Sequence, residues 1–382
     1  MCCLRFAFPH TVLETERTTP MSLVTLLLFG AGIVLLIWGA DLLVRGAAHL
    51  AALAGISPLV IGLTVVAMGT SAPELAVSFR ATLAGQADIA LGNVLGSNIA
   101  NVLLILGLAA LAAPLLVAAR VLQREVPTMI GVSLLLWLLV ADGSLGRGDG
   151  VLLVVLLGAF LAATVVMGRR AGDADAPATP PDGSRRGVLR NLGLLLGGLI
   201  LLVAGAQWLV DGAVTFARAL GVSELIIGLT VVAVGTSLPE IATTVLASLR
   251  GEREIAVGNV VGSNILNILG VLGLTALLAP QPIAVPPSAL AFDLPVLVAT
   301  AVACLPIFFN GRMIARWEGA LFLAYYIAYT TYIVLAATGQ RTLPLFSAAM
   351  LFFAIPLTLV TVAVVTVRGL RQRRRGRVEP TS

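Results

Sequence analysis

The chain has 382 residues, of which 59% are hydrophobic and 11% charged, with a formal net charge of +5. Soluble domains carry about 25% charged residues, so a water-soluble globular protein is excluded, and the mean hydropathy of +1.03 points to an all-α polytopic membrane protein. The positive balance would suggest nucleic acid in a soluble protein. Here it falls in the connections between apolar segments and reads as membrane topology, so no nucleic-acid partner is expected.

Residues 1–20 are polar and mixed, and they lack the basic start and apolar core of a secretory signal. They read as an extension ahead of Met21, as an upstream mis-assigned start would produce. A helix needs about 20 apolar residues to cross a bilayer. Spans are expected near 22–44, 57–83, 89–113, 127–141, 150–168, 188–213, 225–248, 255–279, 289–309, 317–337 and 345–367. Residues 21–168 make a first half of five helices. Residues 169–187 are rich in Pro, Asp and Gly and form a linker. Residues 188–337 make a second half of five helices. The helix at 345–367 is extra, and 368–382 is an Arg-rich tail. The expected architecture is a ten-helix core of two five-helix halves plus an eleventh C-terminal helix.

The three cysteines, Cys2, Cys3 and Cys304, form no metal or disulfide pattern. His10 and His49 both fall outside the expected spans, so a His-based metal site or proton relay is not supported.

Arginine placement tests the span count. With the linker in the cytoplasm, alternation puts roughly 18 of the 24 basic residues on that side, the inward excess expected for a membrane protein. Arg45, Arg120, Arg124, Arg250, Arg253, Arg312 and Arg316 are among them. The tail joins them only if there are eleven spans, which places the N-terminus outside and the C-terminus inside. The tail reads as an orientation signal, with contact to anionic lipid a lesser role.

One stretch occurs twice. GISPLVIGLTVVAMGTSAPELA (Gly55–Ala76) returns as GVSELIIGLTVVAVGTSLPEIA (Gly221–Ala242), and the offset of 166 holds ungapped through Leu108 and Leu274. Roughly 33 of the 54 aligned positions are identical, beyond what apolar composition produces. Five spans separate corresponding helices. An odd number inverts the second copy in the membrane, the arrangement of many secondary transporters, and brings Glu74 and Glu240 toward one another near the bilayer centre.

These two acids sit in apolar runs with no Lys or Arg within a helical turn. An ionised carboxylate at the bilayer centre costs at least ~2.5 kcal/mol, and two close together repel. Each must therefore be protonated or cation-bound. Pro73 and Pro239 interrupt their helices and free backbone carbonyls, which is tolerated at this depth where the backbone is buried or lines a cavity. Thr70 lies four residues before Glu74, and Thr236 before Glu240, so each pair shares a face where helical geometry holds. Ser71 and Ser237 add hydroxyls. Ser97 and Asn101 share a face of the next span, as do Ser263 and Asn267, with Asn98 and Asn264 on a neighbouring face. This all-oxygen set suits Na⁺, Ca²⁺ or Mg²⁺ and not zinc or copper. A single Ca²⁺, several Na⁺ or two H⁺ would each neutralise the acids, and that mutual exclusion is a physical basis for exchange.

Plainer readings exist for single residues. A lone Pro-kinked Glu can be structural, Asn101 and Asn267 can be interhelical hydrogen bonders, and Asp41 and Asp293 read as solvated span ends. Gly92/Gly96 and Gly258/Gly262 read as helix-packing pairs. An intramembrane protease lacks its paired Asp or its Ser and His, and a passive channel would need no second ion.

At GTSAPE (Gly69–Glu74), GTSLPE (Gly235–Glu240) and the two GN-V-x-GSN motifs, the sequence resembles the cation/calcium exchanger superfamily, in particular its prokaryotic sodium/calcium antiporters. The resemblance implies a ten-helix core of two inverted halves in the cytoplasmic membrane. It implies Na⁺ and Ca²⁺ as transported partners, lipid as surroundings, a monomer, no cofactor and no enzyme activity, with H⁺ or K⁺ coupling as the alternative. Glu74, Glu240, Thr70 and Thr236 match calcium ligands. Ser71, Ser97, Asn101, Ser237, Ser263 and Asn267 match positions lining sodium sites, where Ala67 and Ala233 would offer backbone carbonyls. The first and sixth spans would slide to alternate access. Many relatives carry Asp at one of the positions held here by Asn101 and Asn267, so this chain has one central carboxylate fewer.

Overall fold

The computed structural model describes residues 23–85, 87–171, 184–222, 224–227, 230, 231, 233–309, 312–361 and 363. The 1–20 extension, most of the linker and the 368–382 tail lie outside the described residues. Among those residues, nine unbroken helices are long and apolar enough to cross a membrane, and a bent pair makes ten. In order they are Leu23–Leu53, the pair Pro58–Thr70 and Ala72–Leu83, Ile89–Ala112, Val121–Leu139, Arg147–Met167, Arg186–Ala219, Arg253–Leu278, Ala289–Phe309, Arg316–Ala337 and Leu343–Thr361. The seventh expected span is described in pieces: Glu224–Ile227, Ala233–Gly235 and Leu238–Leu249.

Two boundaries differ from the sequence expectation for electrostatic reasons. The first span, expected to end at 44, continues to Leu53 and takes in Arg45 and His49, because its charges neutralise one another. Arg45 reaches Asp41 one turn back at 2.9 Å, and Arg250, just past Leu249, pairs with the same carboxylate. Asp41 is thus an interhelical ion-pair partner and not a solvated edge, and His49 lies within a helix, exposed near its end. The fourth span begins at Val121 and not at 127, since the buried Glu125 is held by Arg120 at 3.1 Å. Asp293, also read as an edge, accepts a hydrogen bond from Tyr329 at 3.0 Å.

The third span (Ile89–Ala112) and the eighth (Arg253–Leu278) are the most enclosed, with 83% and 89% of their apolar windows buried. They are the equivalent helices of the two repeats and form the centre. Close backbone approach fixes their neighbours. A Cβ at Gly262 would lie 2.7 Å from the Leu63 carbonyl oxygen, and one at Gly258 2.9 Å from that of Leu59, so these glycines are packing residues as expected. Beyond the chain neighbours and local helix backbone, no described atom lies within 4 Å of a Cβ placed at Gly92 or Gly96, so among the described residues this pair does not show the close packing expected of it.

The first and sixth spans meet along a seam of glycines spaced seven apart. A Cβ at Gly32 would meet the Gly205 carbonyl at 2.9 Å, one at Gly39 the Gly198 carbonyl at 2.8 Å, and one at Gly46 the Asn191 carbonyl at 2.8 Å. Partner numbers fall as the first number rises, so the two helices run antiparallel. Such small-residue seams let helix backbones touch in lipid, where no hydrophobic force joins them.

Two short antiparallel ribbons tie the halves together. β1 (Leu115–Leu116) pairs with β4 (Met313–Ile314), and β2 (Ser144–Leu145) with β3 (Ile283–Ala284). Each ribbon joins loops that the arginine alternation assigns to one membrane face. The eleventh helix is attached to the tenth span by the Tyr325 hydroxyl, which donates to Thr358 Oγ1 at 2.8 Å.

The seam makes a direct prediction. Gly39→Val drives a side chain into the backbone of Leu202 and Gly198, and overpacking of this kind costs about 1–3 kcal/mol. Thermal unfolding of purified protein in detergent should shift down by several degrees. Gly30→Ala in the same helix, with nothing within 4 Å of the new Cβ, should leave it nearly unchanged.

Candidate functional site

Each GTS-x-PE motif breaks its helix at the serine. Ser71 (φ −80°, ψ 5°) and Ser237 (φ −89°, ψ 5°) leave helical geometry, and new helices begin at Ala72 and Leu238, with Pro73 and Pro239 in the first turn. Proline suits that position because the N–H it lacks has no partner there. In the first copy the axis turns by 42° at the break. Glu74 and Glu240 therefore stand in the first turns of the new helices, where the helix dipole favours negative charge.

The bend re-aims both acids. Sequence spacing paired Thr70 with Glu74 and Thr236 with Glu240 on continuous faces, and the structure crosses those pairings between the halves. The Glu240 carboxyl faces the hydroxyls of Thr70 and Ser71, and Ser71 Oγ donates to Glu240 Oε1 at 3.4 Å. The Glu74 carboxyl faces Ser237, Ser97 and Thr236, whose hydroxyls stand near it without closing hydrogen bonds. Each carboxylate is thus surrounded mainly by the opposite half, and the two lie near enough to repel. Both are about 1% exposed, and among the described residues neither has an ion pair.

Ser97, Asn101, Ser263 and Asn267 are all buried. Asn101 and Asn267 each open a widened, π-helical turn, Asn101–Leu106 and Asn267–Leu272. Such turns interrupt regular helix and recur at functional sites. The turn from Asn101 packs on the helix of Glu240, and that from Asn267 on the helix of Glu74. The Ala67 carbonyl accepts from the Ser71 N–H at 3.0 Å. Ala233 lies in the helical piece before the second break.

The polar atoms here are short of partners. Thirteen buried side-chain N and O atoms among the described residues lack a hydrogen bond, and nine belong to Glu74, Ser97, Asn101, Thr236, Ser237, Glu240, Ser263 and Asn267. Leaving a buried polar group unmade costs about 1–3 kcal/mol, so this concentration marks a polar pocket to be completed by water or a bound ion. With two acids and otherwise neutral oxygens, the set fits hard cations of low total charge. No group of three or more His, Cys, Asp and Glu side chains comes together among the described residues.

Sequence reasoning missed four supporting residues. Asn93 Nδ2 donates to the Glu74 backbone carbonyl at 3.2 Å and to Ser78 Oγ at 3.1 Å. In the other half Asn259 Nδ2 donates to Thr244 Oγ1 at 3.0 Å, and Asn259 Oδ1 accepts from Thr70 at 3.1 Å. Both Asn and both hydroxyl positions obey the 166-residue offset, and that was the signal available to find them.

Comparison with known proteins shows the family of the chain. The family described as sodium/calcium exchanger protein matches residues 24–166 and 190–335, one segment per half. The inner membrane protein YrbG of Escherichia coli (strain K12) is 44% identical over 271 residues, covering 69% of this chain and 82% of its own. The sodium/calcium exchanger MaX1 of Methanosarcina acetivorans is 35% identical over 345 residues, covering 81% and 98%. A solved structure of the sodium–calcium exchanger NCX_Mj superposes with a TM-score of 0.71 at 34% identity, over 80% of this chain and 98% of that one. The chain belongs to the sodium/calcium exchanger protein family.

Proposed function

We propose that the chain is a secondary antiporter of the cytoplasmic membrane that moves Ca²⁺ outward against an inward flow of Na⁺, with its N-terminus outside and its C-terminus inside. One observation carries the reading. Two buried carboxyl groups, with no basic partner among the described residues, face each other's halves inside a shell of unpartnered hydroxyl and amide atoms. Membrane-buried acids without countercharge mark ion pathways. One Ca²⁺ satisfies both charges, as do several Na⁺, and the same oxygens cannot serve both loads at once. Occupancy by one ion therefore requires release of the other. That relatives carry the name sodium/calcium exchanger supports Na⁺ as the coupling ion.

Thr70, Thr236 and the two glutamates would form the Ca²⁺ shell. Ser71, Ser97, Asn101, Ser237, Ser263 and Asn267, with the carbonyls of Ala67 and Ala233, would line the Na⁺ positions. The first and sixth spans, joined by their glycine seam, would move as one body across the core to open the site to alternate sides. The protein would work as a monomer without a cofactor.

Radioactive calcium uptake into vesicles holding the purified protein tests the coupling. An outward Na⁺ gradient should drive uptake and an imposed pH gradient alone should not. Uptake driven only by the pH gradient would establish proton coupling in place of sodium, and dependence on K⁺ would add a third ion.

Glu74→Gln and Glu240→Gln each remove one charged ligand. A charged hydrogen-bonding interaction is worth ~1.5–3 kcal/mol, so each variant should lose Ca²⁺ affinity by about 10- to 100-fold while inserting normally. Calcium titration of transport checks this, and wild-type affinity in either variant would remove that residue from the shell. Asn267→Asp places a third acid in the pocket with an oxygen against Asn98 Oδ1. Its transport should depend more steeply on pH than the parent's, and an unchanged profile would argue for a packing role at 267.

A further inference from the structure

The two central asparagines occupy equivalent repeat positions, yet their surroundings differ. Asn267 Nδ2 donates to Asn98 Oδ1 at 3.0 Å, and Asn98 Nδ2 donates to the Asn264 backbone carbonyl at 3.0 Å. Asn267 Oδ1 is buried and has no hydrogen-bond partner. In the other half, Asn264 turns its amide back to the Val260 carbonyl of its own helix at 2.9 Å, and neither amide atom of Asn101 has a partner.

The chain of amides has only one consistent polarity. A backbone carbonyl can only accept, so the nitrogen of Asn98 must face Asn264. The oxygen of Asn98 then faces Asn267 and can only accept as well. Asn267 must answer with its nitrogen, and its oxygen is turned away from Asn98. Flipping either side-chain amide would set two oxygens against each other in a buried place, where an unmade hydrogen bond is costly.

We propose that Asn98 is a positioning residue that locks Asn267 with its amide oxygen free as a pre-aimed neutral ligand for a monovalent cation, while Asn101 carries no such lock. The two halves thus hold the same residue type in unlike states: a fixed oxygen donor at 267, and at 101 an amide that can turn as ions exchange. Pre-aiming raises affinity because the side chain is not ordered at the moment of binding. The inference rests on the antiporter reading and names the residue that sets its sodium affinity.

A double-mutant cycle tests it. Asn98→Ala, Asn267→Ala and the double variant are reconstituted as full chains, and the Na⁺ concentration giving half-maximal Ca²⁺ exchange is measured beside the maximal rate. Asn98→Ala should raise half-saturating Na⁺ by about 2- to 10-fold, with half-saturating Ca²⁺ moving much less. Because Asn98 acts through Asn267, its substitution should add little in the Asn267→Ala background. Additive shifts, or equal shifts in the Na⁺ and Ca²⁺ dependences, would overturn the proposal. If Asn98→Ala does not assemble, Asn98→Ser, whose hydroxyl is too short to bridge, takes its place in the same cycle. Sodium-dependent thermal stabilisation of the purified wild-type chain separates the two readings. No stabilisation by Na⁺ would sink the sodium site and this proposal together. Stabilisation combined with an additive cycle would remove the role of Asn98 alone.

Discussion

The structure depends on two carboxyl groups buried within reach of each other and, among the described residues, paired with no positive side chain. Each, when ionised, costs at least ~2.5 kcal/mol at the bilayer centre, and mutual repulsion adds to that. A protein under selection for stability alone would pair them with arginine, as it does at its periphery. Asp41 has both Arg45 and Arg250, and Glu125 has Arg120. Among the described residues Glu74 and Glu240 are left without such partners, in a shell whose hydroxyls and amides are also short of hydrogen bonds. That pattern is what the proposed antiport needs: a pocket costly to leave empty, so that one load would leave only as another replaces it.

The helix breaks convert the repeat into a single site. If the motif helices ran straight, each acid would sit with the threonine of its own half, and two separate half-sites would result. The non-helical Ser71 and Ser237 turn each carboxylate toward the other copy, so Glu240 meets Thr70 and Ser71, and Glu74 meets Thr236 and Ser237. Oxygens from both halves then line one pocket. On the proposed reading, a relative movement of the halves would change the coordination of a bound ion at once. The antiparallel glycine seam between the first and sixth spans makes them a close-packed pair beside this core.

Much of this was legible in the residues. The 166-residue offset, the odd number of intervening spans and the orphan acids together gave the inverted architecture and the identity of the two carboxylates. Two things were not. Spacing by four assumes an unbroken helix, and Pro73 and Pro239 invalidate that assumption at the very residues where it was applied, so the crossing of ligands between halves was hidden. Hydropathy alone also ends a span at its first charges. Arg45 and His49 were placed past the end of the first helix, and Asp41 was read as a solvated edge, because the compensating Arg250 lies some 200 positions away in the chain. The supporting roles of Asn93, Asn259 and Asn98 depend on contacts across helices, and only their recurrence at the repeat offset hinted at them.

The most direct measurement of the central claim is the position of a bound divalent cation. Crystals of the chain soaked in Sr²⁺, an anomalous scatterer that stands in for Ca²⁺, should show one peak between the carboxyl groups of Glu74 and Glu240, fading as Na⁺ is raised in the soak. A peak elsewhere in the protein, or one at the glutamates that high Na⁺ leaves untouched, would contradict a shared site for which the two ions compete.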